Sequence, residues 1–129
     1  MNYDEIDMIF SEIQKMMKRN IREIKKLYQA TIDGGESKVF HKKCDDIPNT
    51  LILIKSQGYR RFGGFTPIPW KTKGNWLQDL EAKTFLFSLD CKKIYYLKNG
   101  YYSAVYHNKE SGPFFGGRFD IGSIGNPLK

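Results

Sequence analysis

The chain has 129 residues, 40% of them hydrophobic and 27% charged, a length and balance that fit a globular domain with its own core and exclude a disordered polymer or a stapled miniprotein. Aromatic residues reach 15%, with nine Phe and eight Tyr, which favours β structure. The formal charge of +7 attracts phosphate or acidic surfaces, but the lysines and arginines are spread along the whole chain, and a solvated surface is the plainer reading.

Residues 1–32 read as one long amphipathic helix. Tyr3, Phe10, Met17 and Ile24 stand at the a positions of a heptad and Ile6, Ile13, Asn20 and Leu27 at the d positions, a seam sustained over about four repeats. Two such seams make a coiled-coil homodimer in which the polar Asn20 fixes register. Ile9, Met16, Ile21 and Tyr28 widen the stripe, so the same helix also suits a face folded back on its own domain. Asp33-Gly34-Gly35 ends it with a glycine free to adopt the left-handed conformation.

Residues 33–129 form the second unit, rich in strands. Ser37 is placed to cap a short helix running to Asp45, with Val39, Phe40 and Cys44 on its apolar stripe. Residues 50–56 predict a strand buried on both faces, and Gln57-Gly58 turns it into a second strand over 59–66. Pro67, Pro69 and residues 71–75 mark a loop carrying Trp70 and Trp76, whose rings are expected to plug a sheet edge because large aromatic area strongly favours burial. Residues 84–89 make another apolar strand. Asn99-Gly100 accepts the positive φ angles of a type I′ turn and so predicts a hairpin between residues 93–97 and 101–107, followed by a strand from residue 114 in an antiparallel meander. The fold class is α+β: two antiparallel sheets packed as a sandwich, flanked by helices and preceded by the long helix.

Phe62-Gly63-Gly64-Phe65 and Phe115-Gly116-Gly117-Arg118-Phe119 set paired glycines among aromatics. Neither run opens a helix, so they read as bends or close backbone approaches in strands and not as phosphate loops. His41 and Cys44 sit three apart, but a zinc site needs three or four protein ligands and only His107, Cys91 and scattered carboxylates remain. Cys44 reads as a small buried apolar residue and Cys91 as the more exposed thiol. Asp79 and Glu81, two apart, are the one carboxylate pair that suggests acid and base chemistry. The free thiols, the acidic interruptions at Asp4, Glu5 and Asp7 and the lack of a long apolar run point to an intracellular, cytoplasmic protein with no transmembrane segment.

In order, Leu27-Tyr28-Gln29-Ala30, Asp33-Gly34, Phe40-His41-Lys42-Lys43-Cys44-Asp45, Asn49-Thr50-Leu51, Phe62-Gly63-Gly64-Phe65-Thr66, Trp70, residues 82–89 and Gly112-Pro113-Phe114-Phe115-Gly116 with Asp120-Ile121 resemble the TLDc domain. The resemblance spans about residues 27–124. It implies a β-sandwich flanked by helices in eukaryotic intracellular proteins tied to oxidative-stress resistance, several of which bind the vacuolar proton ATPase (V-ATPase). It supplies no catalytic residues to carry over, and no cofactor or metal is expected. Relatives usually continue past the second glycine run into further strands and an acidic, apolar ending, so the chain is expected to be C-terminally incomplete relative to the family. Asp45-Asp46 stands where relatives usually have Asp-Gly.

The resulting expectation is a non-enzymatic protein-interaction domain, with V-ATPase subunits or a second copy of the chain as partner. The alternatives are a basic module binding nucleic acid or an anionic surface, and an enzyme using Asp79 and Glu81.

Overall fold

A computed structural model describes residues 2–71, 75–77, 83–96, 105–107 and 114–115. Helix α1 spans Tyr3–Met17. Its start is a capping box: the Asn2 side chain accepts from the Glu5 N–H at 2.9 Å, and the Glu5 carboxylate accepts from the Asn2 N–H at 2.9 Å. Asp4 and Glu5 in the first turn also suit the positive end of the helix dipole.

The end of α1 corrects the long-helix expectation. Lys18 takes a left-handed conformation at φ 55°, and Gln14 gathers the N–H groups that follow. Its carbonyl accepts from Lys18 and Arg19, and its side-chain oxygen accepts from Ile21 at 2.9 Å. Residues 20–29 then run without helix to α2 at Ala30–Asp33. Asn20, Ile24 and Leu27 therefore lie on no helical seam. A helix continued through this stretch would stack Lys15, Lys18, Arg19, Arg22, Lys25 and Lys26 at spacings of three and four, where like charges repel. Of the proposed seam, Tyr3 is 86% and Ile24 63% exposed, whereas Ile9, outside it, is 0% exposed. The coiled-coil homodimer loses its seam, and the helix folded back on its own domain is what forms.

Helix α3 spans Ser37–Cys44, with Glu36 at the N-cap, so Ser37 is its first residue and not its cap. Strand β1 (Thr50–Lys55) pairs antiparallel with β2 (Arg61–Thr66), β2 with β4 (Phe85–Ser88), and β4 with β5 (Lys93–Tyr96), in sheet order β1-β2-β4-β5. A second antiparallel sheet orders β3 (Asn75–Leu77), β6 (Val105–His107) and β7 (Phe114–Phe115) as β3-β6-β7. The Asn99-Gly100 turn lies outside the described residues, but Val105–His107 pairs with β3 and β7, not with β5 as the hairpin reading required.

Strand alternation sorts the four-stranded sheet into two faces. Phe65, Phe85, Phe87 and Leu89 cluster with Ile9 and Ile13 of α1, with Leu51 and Ile94 at the margin. On the other face Ile52, Ile54, Phe62 and Leu86 meet Phe40, Cys44 and Trp70. Helices thus supply described contacts to both faces, α1 on one and α3 on the other. Face-to-face packing of the two sheets is not among those contacts, so helices with an antiparallel four-stranded sheet are what stand of the sandwich expectation. β1 is also less enclosed than its apolar run suggests, since Leu53 is 49% exposed.

Candidate functional site

Trp70 has 0% exposure and donates its indole N–H to the Thr50 hydroxyl at 2.9 Å, with its ring edge-on to Phe40. It is the plug its sequence context promised. Trp76, Asp79, Glu81 and the second glycine run beyond Phe115 lie outside the described side chains, so the carboxylate pair is not placed.

At the end of α3, His41 Nδ1 lies 2.7 Å from Asp45 Oδ1. A carboxylate only accepts, so Nδ1 carries the proton. A histidine oriented in this way can serve as a general base where its ring faces a substrate. Here the ring is 4% exposed and stacks edge-on against Phe40 at 5.3 Å, inside the α3 face of the core. Cys44 is buried in the same cluster, and burial first, then the charge of Asp45, pushes its thiol up to about 11. At neutral pH it is a thiol, a poor nucleophile and a poor metal ligand. Cys91 is exposed in the β4–β5 turn. Among the described residues no three His, Cys, Asp or Glu side chains converge as a metal group would require.

The polar residues that do converge were not anticipated as a set. Arg61, at the start of β2, contacts Glu5 of α1 at 2.8 Å and Asp90 of the β4–β5 turn at 3.1 Å. Asp90 also accepts from the Arg61 backbone N–H at 2.9 Å. Glu5 is held below its ordinary carboxylate range, first by the Asn2 N–H and next by Arg61, and Asp90 likewise by the Arg61 N–H. Arg61 thereby ties the start of α1 to the turn end of the sheet. A second fastener lies farther along the helix, where the Tyr96 hydroxyl donates to Glu12 at 2.6 Å, a bond that raises the phenol above its usual range. The capping-box spacing of Asn2 and Glu5 marks where α1 starts, but nothing in that spacing points to Arg61.

Between α1 and the segment that follows it runs an open groove of about 410 Å³, lined by Phe10, Ile21 and Ile24 with Asp7, Arg22 and Glu23. At the turn end of the sheet, by contrast, basic and aromatic side chains gather. Lys55 sits over the Tyr59 ring at 5.1 Å and Lys93 over the Tyr95 ring at 5.5 Å.

A family model for the TLDc domain matches residues 1–125. The chain belongs to the TLDc domain family. No curated protein matches it. The family match takes in α1, which the resemblance starting at Leu27 had left outside, and the packing of Ile9 and Ile13 against Phe65, Phe85 and Phe87 gives the physical counterpart: in this TLDc domain α1 is part of the core. The first glycine run is framework of the same TLDc domain. A Cβ on Gly63 would stand 1.9 Å from the Ile52 carbonyl oxygen and 2.8 Å from the Phe87 ring. Among the described residues of this TLDc domain, no helix is long and apolar enough to cross a membrane.

Proposed function

We propose that the chain is a non-enzymatic interaction module of the TLDc type, acting in the eukaryotic cytoplasm on subunits of the V-ATPase and contributing to oxidative-stress resistance. The observation that carries this reading is the family match over residues 1–125. The use of the polar residues supports it. Glu5, Arg61, Asp90, Glu12 and Tyr96 are engaged in fastening α1 to the sheet, and His41 and Cys44 are enclosed in the core, so these groups serve the scaffold and leave the outer surface to recognise a partner.

Capture of the tagged full chain from its own cells, with and without peroxide, followed by identification of the co-purifying proteins, tests the proposal. Enrichment of V-ATPase subunits is the expected result. Their absence from repeated captures overturns the pump assignment.

A further inference from the structure

We infer that the outer edge of β1 is a docking site at which an extended segment of a partner protein, apolar with one acidic residue, adds a strand to the four-stranded sheet. The inference rests on the reading of the chain as an interaction module.

The phase of the hydrogen bonds shows what this edge offers. Ser56 N–H donates to the Arg60 carbonyl and Leu89 N–H to the Arg61 carbonyl. With Ile54 opposite Phe62, that alternation turns the backbone groups of Thr50, Ile52 and Ile54 towards β2. The N–H and C=O groups of Leu51, Leu53 and Lys55 therefore point away from it. β1 stands at the end of its sheet, and among the described residues nothing pairs with that side. A row of alternating free donors and acceptors is complementary to another extended chain.

The edge also lacks the devices that keep edges free, which are a proline, a bulge or a charge pointing inward. Residues 50–55 pair one to one with β2 and contain no proline. Ile52 and Ile54 lie half-buried on the α3 face and Leu51 on the α1 face, a two-sided apolar pattern suited to the interior of a sheet. Yet Leu53, on the α1 face by alternation, is 49% exposed. It stands opposite Gly63, so β2 gives it no side chain to pack on. A strand added on the outer side supplies one.

Charge selects the occupant. Lys55 shares the face of Leu53, two residues along. It is exposed, its ammonium lies over the Tyr59 ring at 5.1 Å, and it has no ion pair with a described residue. A partner that continues the antiparallel pattern thus sets an acidic residue opposite Lys55 and, two residues later, an apolar one opposite Leu53. Apolar residues opposite Ile54 and Ile52 complete the other face. A second copy of the chain fits less well. With Leu53 on a two-fold axis it would put Leu51 and not an acid against Lys55, and it would bring its own charge of +7 to the first.

Fluorescence anisotropy of the full chain with the labelled peptide Ser-Glu-Val-Leu-Val-Thr-Ser tests the edge, and wild type is expected to bind it. Methylating the peptide's Leu amide, which would point at β1, should weaken binding by about tenfold or more, and methylating its first Val amide, which would point away, by less than about threefold. Leu53→Pro removes a donor from the edge and none from the β1–β2 ladder, so circular dichroism should show the fold kept while binding falls by about tenfold or more. If that variant does not fold, the two methylated peptides decide. Lys55→Glu should weaken binding by about fivefold or more and should favour a peptide with Lys in place of Glu. No binding by wild type, equal losses from the two methylated peptides, or indifference to the charge exchange would overturn the proposal. So would a wild-type dimer in sedimentation equilibrium that Leu53→Pro turns into monomer, because the edge would then serve a second copy. If wild type binds the peptide as described and captures no V-ATPase subunits, the edge stands and only the pump assignment fails. If V-ATPase subunits are captured and the peptide does not bind, the reverse holds.

Discussion

Gly63→Ala is expected to cost about 3 kcal/mol or more, the upper part of the range for forcing volume into a packed site, and to leave little folded protein in a domain whose net stability is of the order of 5–15 kcal/mol. The added methyl would stand 1.9 Å from the Ile52 carbonyl oxygen and 3.0 Å from the carbonyl carbon. Backbone in the middle of the β1–β2 ladder cannot move aside as a flexible side chain can. Phe87, whose ring would be 2.8 Å away, is itself 2% exposed and packed against α1, so relief in that direction would disturb the α1 face. Gly58→Ala is the matched control. Its nearest neighbour would be the Ser56 hydroxyl at 3.9 Å, an ordinary contact, and stability should change by less than about 0.5 kcal/mol. Urea denaturation followed by circular dichroism measures both.

Trp70→Ala should cost about 3–5 kcal/mol, the usual loss for deleting a large buried aromatic. The ring has 0% exposure and clusters with Phe40 and Cys44 of α3, rimmed by Ile52 and Ile54 of β1 and Phe62 of β2. Trp70→Phe separates the two parts of this loss. It keeps most of the apolar volume but leaves the Thr50 hydroxyl, 7% exposed, without its indole donor, a cost of roughly 1–3 kcal/mol. Urea midpoints should therefore rank wild type above Trp70→Phe above Trp70→Ala. A Trp70→Phe midpoint equal to that of wild type would show that the hydrogen bond to Thr50 carries no stability.

The strands of the central sheet were legible because their apolar runs are short, β-branched and bounded by turn residues. Thr50–Lys55 and Phe85–Ser88 fall inside the expected spans, and Gln57-Gly58 marks the turn between β1 and β2. That Tyr59, not the glycine, takes the left-handed conformation was not legible, since a tyrosine there runs against local preference. The N-terminal helix was over-extended for a different reason. Periodicity continued past Met17 with no Gly or Pro to stop it, and the terminator is a glutamine side chain that accepts a backbone N–H seven residues on. The like-charge ladder from Lys15 to Lys26 was the available warning. Cys44 is buried where the helix stripe it shares with Phe40 faces the core, and His41 is buried beside it. The Arg61 hub spans fifty-six residues of sequence to Glu5 and so leaves no local spacing to read.

The central claim, that α1 is part of this domain's core and not one half of a coiled coil, is tested most directly by the urea stability of Ile9→Ala beside Ile24→Ala. Ile9 lies off the heptad seam with 0% exposure, and Ile24 lies on it with 63%. The structure predicts a loss of about 2–5 kcal/mol for Ile9→Ala and less than about 0.5 kcal/mol for Ile24→Ala. The opposite order, with Ile24→Ala the damaging change and Ile9→Ala silent, would contradict it.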